Sequence, residues 1–146
     1  KILVPSFFTK DLNYYRMLTD AVNIKDAFII NIGIDFEVTV RSNYNSNEVL
    51  LSCINSLRSY FNVDKWQINQ PIIKADVLNL LGSIPGVQSV VGIQFKNLFD
   101  RTQNYADNPY DLETATRKGI IYPSLDPSIF EIKFPDKDIK GKTTNY

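Results

Sequence analysis

The sequence predicts an α+β fold of two layers, in which two helices pack on one face of a mixed or antiparallel sheet. Several stretches alternate apolar and polar residues as strands do, and two stretches between them carry apolar residues on one side only, as surface helices do. Elements that are apolar on one side must bury those sides against each other. The 146 residues are enough for one domain with a single hydrophobic core.

The first strand has the clearest pattern in the chain. From Phe28 to Val40 every even-numbered residue is apolar, whereas the odd positions from Asn31 onward are glycine or polar. A period of two is typical of a half-buried strand, with one face on a core and the other in solvent. We therefore expect one long strand over residues 28–41.

Three further β segments are expected after the helices. The dipeptide Pro85-Gly86 predicts a turn, and the alternation that follows it predicts a strand over 87–98. A short segment at 119–122 and a strand at 129–134 come later, and prolines bracket both. The sheet should combine the strands at 87–98 and 129–134 with the first strand.

Two helices are expected between the first two strands. Asn45 and Glu48 resemble a capping box, with Asn in the usual place of Ser or Thr. They start a helix over 46–62 whose apolar residues fall within one sector. A shorter helix is expected over 74–82, because Gly82 favours a helix end.

The rest of the chain divides into three parts in this interpretation. Residues 1–27 form a lead-in segment with a short helix over 9–24, and 28–135 form the α+β domain. A short extended piece is expected at Trp66–Ile68. The polar tail over 136–146 is expected to be frayed.

Apolar periodicity disappears over residues 100–118, which we interpret as a long polar loop. Loops beyond about 12–15 residues are usually functional or disordered, and length alone does not choose between these. Tyr105 and Tyr110 are the candidate interface residues of this loop, because tyrosine is enriched at protein interfaces. Trp66 is a third candidate, for which core packing and an interface are equally good interpretations.

Composition excludes several classes of function. The charges of sixteen basic and sixteen acidic residues cancel. The chain therefore lacks the surplus of basic residues that is typical of nucleic-acid-binding proteins. No apolar run approaches the length of a membrane span. Histidine is absent, which removes the commonest general base and metal ligand. Because the chain begins with Lys1 rather than Met, we interpret it as a piece of a longer polypeptide.

The remaining reactive side chains have simpler explanations. Asp35 and Glu37 share the wet face of the first strand, where acid–base chemistry is conceivable but a solvated face is the stronger interpretation. Residues 107–111 lack the glycine and distal glutamate of a calcium loop. Cys53 lies on the apolar side of a helix and is expected to be core. No catalytic, cofactor-binding or metal-binding residue is predicted.

One family resemblance rests on the order strand, long amphipathic helix, short helix, Pro-Gly turn and strand. The chain resembles the C-terminal part of baseplate J-like proteins, which include the large baseplate wedge subunit of contractile-tailed myophages. The similar stretches are Val38-Thr39-Val40, Val49 to Ile54, Leu57, Tyr60-Phe61, Ile72 to Val77, Ile84 to Val90, and Tyr122 to Ile132.

The resemblance implies a structural role in a virion. It implies a component of the phage tail baseplate, assembled in the host cytoplasm, that contacts other wedge subunits. Together with the long polar loop, it favours self-association, as a dimer, or docking on a sister subunit through residues 100–118 and the surface beside them. It implies no catalytic residue. With the composition, the expectation is no small-molecule substrate, no nucleic-acid partner and no membrane. The alternative from another class is a small-molecule-sensing α+β regulatory domain, which a glycine-rich loop after the first strand would favour and Asn43-Tyr44-Asn45 does not provide. An enzyme that uses Asp35 and Glu37 is a third hypothesis.

Overall fold

A computed structural model describes residues 27–144 and confirms the predicted α+β class. The expected helix over 9–24 lies outside the described residues, as do nearly all of the lead-in segment 1–27 and the last two residues of the tail. In chain order the elements are β1 (Phe28–Val40), α1 (Ser46–Tyr60), β2 (Ile72–Ile73), α2 (Lys74–Gly82), β3 (Val87–Leu98), a 3₁₀ turn (Arg101–Gln103), α3 (Leu112–Ala115), β4 (Thr116–Arg117), β5 (Ile120–Ile121), β6 (Ser128–Glu131), α4 (Pro135–Asp138) and β7 (Ile139–Thr144).

The main sheet has four strands with β1 at its centre. β3 runs antiparallel to β1 on one side, with Ile93 opposite Phe36. On the other side of β1, two strands run parallel to it. β6 pairs with the first residues of β1, and β7 pairs with its later residues. The sheet is therefore mixed, and it contains strands at the three positions that the sequence predicts for it.

The helices pack on the apolar face of this sheet. The even positions of β1 from Ile30 to Val38 are buried together with Val49, Cys53 and Leu57 of α1 and with Val77 and Leu81 of α2. This burial confirms the predicted register of the strand. α1 ends two residues earlier than predicted, and α2 keeps its predicted bounds.

Local sequence signals set the start of α1 and the turn into β3. The side chain of Asn45 accepts hydrogen bonds from the backbone N–H groups of Asn47 and Glu48, so it caps α1 as predicted. Gly86 has φ +95°, and a Cβ there would collide with Tyr44 and Val49. Glycine is therefore required at this turn.

The expectation of a frayed tail is wrong for residues 136–144. The chain continues through α4 into β7, which forms six residue pairs with the central strand. Ile139 is 2% exposed, and it lies beside Ile34 in the core. Pairing with a central strand and burial of this side chain outweigh the polar composition of the segment.

Three expectations about connections also need correction. Residues 100–118 are not structureless, because they contain the 3₁₀ turn, α3 and β4. The extended piece is not at Trp66–Ile68; β2 follows instead at Ile72–Ile73 and joins β5 and β4 in a small second sheet. The strand expected at 129–134 is shorter and stops at Glu131.

Candidate interaction surfaces

Tyr105, one of the three candidate interface residues, lies inside the fold. It is 6% exposed, its hydroxyl donates to Asp138 Oδ1 at 2.6 Å, and its ring meets that of Phe134 edge-on at 5.6 Å between centroids. Burial and the bond to Asp138 raise the pKa of Tyr105 to about 12. The ring therefore stabilises the fold and leaves little surface for a partner.

Trp66, another of the candidates, is also buried at 6% exposure. Its ring lies 5.0 Å from that of Phe61 and 5.7 Å from that of Tyr60, within an aromatic cluster at the end of α1. Its indole Nε1 has no hydrogen-bond partner within residues 27–144. Of the two interpretations left open by the sequence, core packing describes its position.

Tyr110, the remaining candidate, is half-buried. Its hydroxyl donates to the backbone carbonyl of Tyr122 at 2.6 Å, and its backbone N–H donates to Asn97 Oδ1 at 2.7 Å. Tyr110 ends a segment over residues 105–110, which we call the covering loop. Of the three candidates, Tyr110 therefore keeps the most surface for a partner.

The start of the covering loop lies over the first half of the polar face of β1, where Asn31 binds it. Its end, at Tyr110, packs beside Phe130 on the helix-covered side. Asn31 is 1% exposed; its Oδ1 accepts from the backbone N–H of Ala106 at 2.7 Å, and its Nδ2 donates to Glu131 Oε1 at 2.9 Å. Asn97 adds a bond from its Nδ2 to the Asn31 carbonyl. Sequence analysis missed this network, because an asparagine on the wet side of a strand looks like any solvated residue.

Further along β1, the same sheet face carries charged side chains of alternating sign. Asp35 Oδ2 lies 3.2 Å from Lys96 Nζ, and Glu37 Oε1 lies 3.9 Å from Lys142 Nζ. Lys140 stands beside Asp35 on β7. Both carboxylates have a lysine neighbour and remain open to water, which is the arrangement of a solvated face.

Residues 27–144 contain neither a reactive cysteine nor a cluster of metal-ligating side chains. Cys53 has no exposed surface, and its burial raises the pKa of the thiol to about 11, so a reactive thiolate is disfavoured. No group of three or more potential metal-ligating side chains occurs among residues 27–144. Asp111, from the segment weighed as a calcium loop, instead caps α3 by accepting from the Thr114 N–H. Within the same range, no helix has the length and apolar character to cross a membrane.

Exposed apolar side chains gather at the end of the sheet where β1 begins, which we call the apolar end. Phe28 is 53% exposed, Phe99 is 48% exposed and Leu125 is 77% exposed. Phe28 bonds through its N–H to the carbonyl of Pro127, two residues after Leu125. Phe99 directly follows Leu98, the partner of Asn31 in β1. Exposed apolar groups at one place are typical of interaction surfaces.

The outer edge of β3 is a second exposed feature. β3 pairs with β1 along one side, and among residues 27–144 no strand pairs with its other side. Gly92 and Gln94 are exposed along this edge. Unpaired N–H and C=O groups of an edge strand can bind another extended chain.

Comparison with known proteins adds no family. No protein-family model matches the chain, and a search of curated proteins found no significant match.

Proposed function

We propose that this chain is an assembly module that works by binding other proteins, as a structural component of a phage tail baseplate wedge. The observation that carries the binding role is the apolar end of the sheet. Three large side chains there, Phe28, Phe99 and Leu125, expose about half or more of their surface. A hydrophobic contact area of this kind gains stability when a partner removes it from water.

The assignment to a baseplate rests on the resemblance to baseplate J-like proteins. Its support is the order of the elements, since β1, α1, α2, the turn at Pro85-Gly86 and β3 follow one another in the order on which the resemblance depends. Other wedge subunits and a second copy of the chain are the proposed partners. The proposal includes a location in the virion and excludes catalysis.

The test is binding between the purified chain and purified wedge subunits that are encoded beside it. Titration calorimetry should detect a complex with at least one of them. Replacing Phe99 and Leu125 together by serine should weaken that complex about tenfold or more, because buried aromatic and aliphatic contacts dominate binding energy. Leu51→Ala is the matched control, since Leu51 is 59% exposed on α1, away from the apolar end.

Two outcomes contradict the proposal. Failure of the wild-type chain to bind any wedge subunit would remove the baseplate role. Saturable binding of a metabolite, detected by a thermal-shift screen and absent for wedge subunits, would favour the small-molecule-sensing alternative.

A further inference from the structure

Among the described residues, no strand pairs with the outer edge of β3, and residues 92–96 form its regular stretch. At one end the register of β3 against β1 shifts between Gly92 and Val90, so Val91 is an extra, bulged residue. At the other end the side chain of Asn97 accepts from the Tyr110 N–H. A partner strand can therefore add to the edge between these two points.

We propose that a second copy of this chain pairs with this edge, β3 against β3 and antiparallel, with Gln94 opposite Gln94. This register places Gly92 of each copy opposite Lys96 of the other, and Ile93 opposite Phe95. A two-fold axis perpendicular to the sheet relates the copies, as closed dimers require. The two four-stranded sheets then form one continuous sheet, with the helices of both copies on the same side.

The apolar contacts of this register fall on the helix-covered face. Ile93 lies opposite Phe36 in β1, and Phe95 lies opposite Ile34, so both side chains belong to the face that packs against the helices. Ile93 is only half-buried in one copy. Phe95 of the second copy would cover it, and the symmetry makes this contact twice.

The charges of the opposite face also fit this register. Gly92 lies between Glu37 of β1 and the open edge, and a Cβ at Gly92 would have no atom within 4 Å. Lys96 of the second copy therefore has free space over Gly92 in which to extend toward Glu37. Opposite charges in one cross-strand row stabilise a sheet, whereas like charges destabilise it.

The other long edge of the sheet, that of β7, does not offer such a register. Lys140 and Lys142 lie on one face of β7. Antiparallel self-pairing centred on Gly141 would put Lys140 of each copy opposite Lys142 of the other. Edge lysines are a common protection against strand addition. The charge pattern thus selects β3 for self-association.

This inference rests on the proposed function for its expectation of self-association and adds the surface and the register. Sedimentation velocity of the full chain over about a hundredfold range of concentration should show a reversible dimer. Gly92→Lys should weaken the dimer about tenfold, because two lysines then lie opposite each other at two symmetric positions. Gly92→Ser, the matched control, adds a small neutral side chain and should dimerise like the wild type.

A cross-link tests the register directly. Directly opposite residues of an antiparallel pair have Cα atoms about 4.5–5.5 Å apart, which a disulfide can span. Gln94→Cys should therefore form an intermolecular disulfide between the two introduced thiols under mild oxidation, identified by peptide mass spectrometry. Leu51→Cys, on the outer side of α1, should not cross-link, and native Cys53 is buried and does not compete.

The outcomes separate this inference from the proposed function. A monomer at every concentration would overturn the inference, as would a dimer that Gly92→Lys leaves unchanged or that Gln94→Cys fails to cross-link. Wedge-subunit binding in calorimetry would stand in each of these cases, because it tests the apolar end rather than the β3 edge. A cross-linked dimer without wedge-subunit binding would retain the inference and reject the baseplate role.

Discussion

The side-chain amide of Asn31 bonds to two segments that lie 75 and 100 positions away, at Ala106 and Glu131. Asn31→Ala removes the amide and leaves the Ala106 N–H without this acceptor beneath the covering loop. We expect the free energy of unfolding to fall by about 2–3 kcal/mol, since buried polar groups that lose a partner carry their full desolvation cost. Urea denaturation measures the change. Asn108→Ala, which removes a more exposed bond to the Ile29 carbonyl, should cost less than about 1 kcal/mol; equal losses in both variants would contradict the central role of Asn31.

The hydroxyl of Tyr105 makes stability depend on alkaline pH. Its pKa rises from an ordinary value near 10 in the unfolded chain to about 12 in the fold, because the ring is buried and bonded to Asp138. Between these values the unfolded chain loses the proton and the folded chain keeps it, so stability falls as pH rises from about 10 to about 12. Below pH 10 the contribution is complete.

Tyr105→Phe isolates this contribution. The variant should be less stable than the wild type at neutral pH, because Asp138 loses the hydroxyl that its Oδ1 accepts from. Its stability should also fall less steeply above pH 10. Urea denaturation from pH 8 to pH 12 measures both effects, and parallel pH curves for the two proteins would show that Tyr105 does not carry the dependence.

Sequence alone could not separate Asn31 from Asp35, although the structure gives them different surroundings. Both occupy odd positions of β1 and point to the same face, yet Asn31 is buried and Asp35 is open to water. The difference comes from the covering loop, which is remote in sequence from β1. A period-two pattern reports which side of a strand a residue occupies, and it carries no information on what a distant segment places over that side.

At the scale of single elements, the one-sided apolar pattern of α1 is a reliable guide to its packing. Leu57 lies at the centre of the apolar sector and has no exposed surface. Leu57→Ala should lower the free energy of unfolding by about 2–5 kcal/mol, because it removes a buried side chain and leaves a cavity. Leu51→Ala on the outer side of the same helix should change it by less than about 0.5 kcal/mol. Thermal or urea unfolding that gave similar values for the two variants would show that α1 does not pack as described.

β7 is the longest element that the sequence analysis missed, although its pattern contains a signal. Ile139, Gly141 and Thr143 alternate with Lys140 and Lys142. The polar composition of the segment and its position near residue 146 hide this alternation. Its pairing with the middle of β1 could not be read from local sequence, since parallel strands are joined by long connections.

Gly141 provides a test of the position of β7. Gly141 lies opposite Phe36 in β1, and a Cβ at this position would collide with the Phe36 ring. Gly141→Ala should therefore destabilise the protein by about 1–3 kcal/mol through overpacking. Gly92→Ala is the matched control, because it adds the same methyl group to another strand of the sheet with no atom within 4 Å; its effect should stay within about 0.5 kcal/mol. Equal effects would mean that β7 does not pack beside Phe36.

For the whole molecule, sequence patterns were sufficient for the class of fold and for the buried face of the sheet, and insufficient for the candidate surfaces. Strands and helices that are apolar on one side must pack with those sides together, so the sequence pattern indicates which face of the sheet the helices cover. The expected interface residues Tyr105 and Trp66 proved to be buried, because an aromatic residue in an irregular segment has the same local sequence whether the segment folds back or projects. The open β3 edge follows from strand order, which depends on contacts between remote parts of the chain.

The polar network between the covering loop and the sheet should be visible in amide exchange across the molecule. The Ala106 N–H donates to Asn31 Oδ1 and the Tyr110 N–H donates to Asn97 Oδ1, each at 2.7 Å. Although both amides lie outside helices and strands, their exchange requires the loop to leave the sheet, so we expect protection well above that of an unstructured peptide. Asn97→Ala should remove the protection of Tyr110 and leave that of Ala106, because the Asn31 acceptor remains.

Residue-resolved hydrogen exchange by NMR makes this comparison. Fast exchange of both amides in the wild type would show that the covering loop is not held to the sheet, and simultaneous loss of both in Asn97→Ala would show that the two bonds break as one unit.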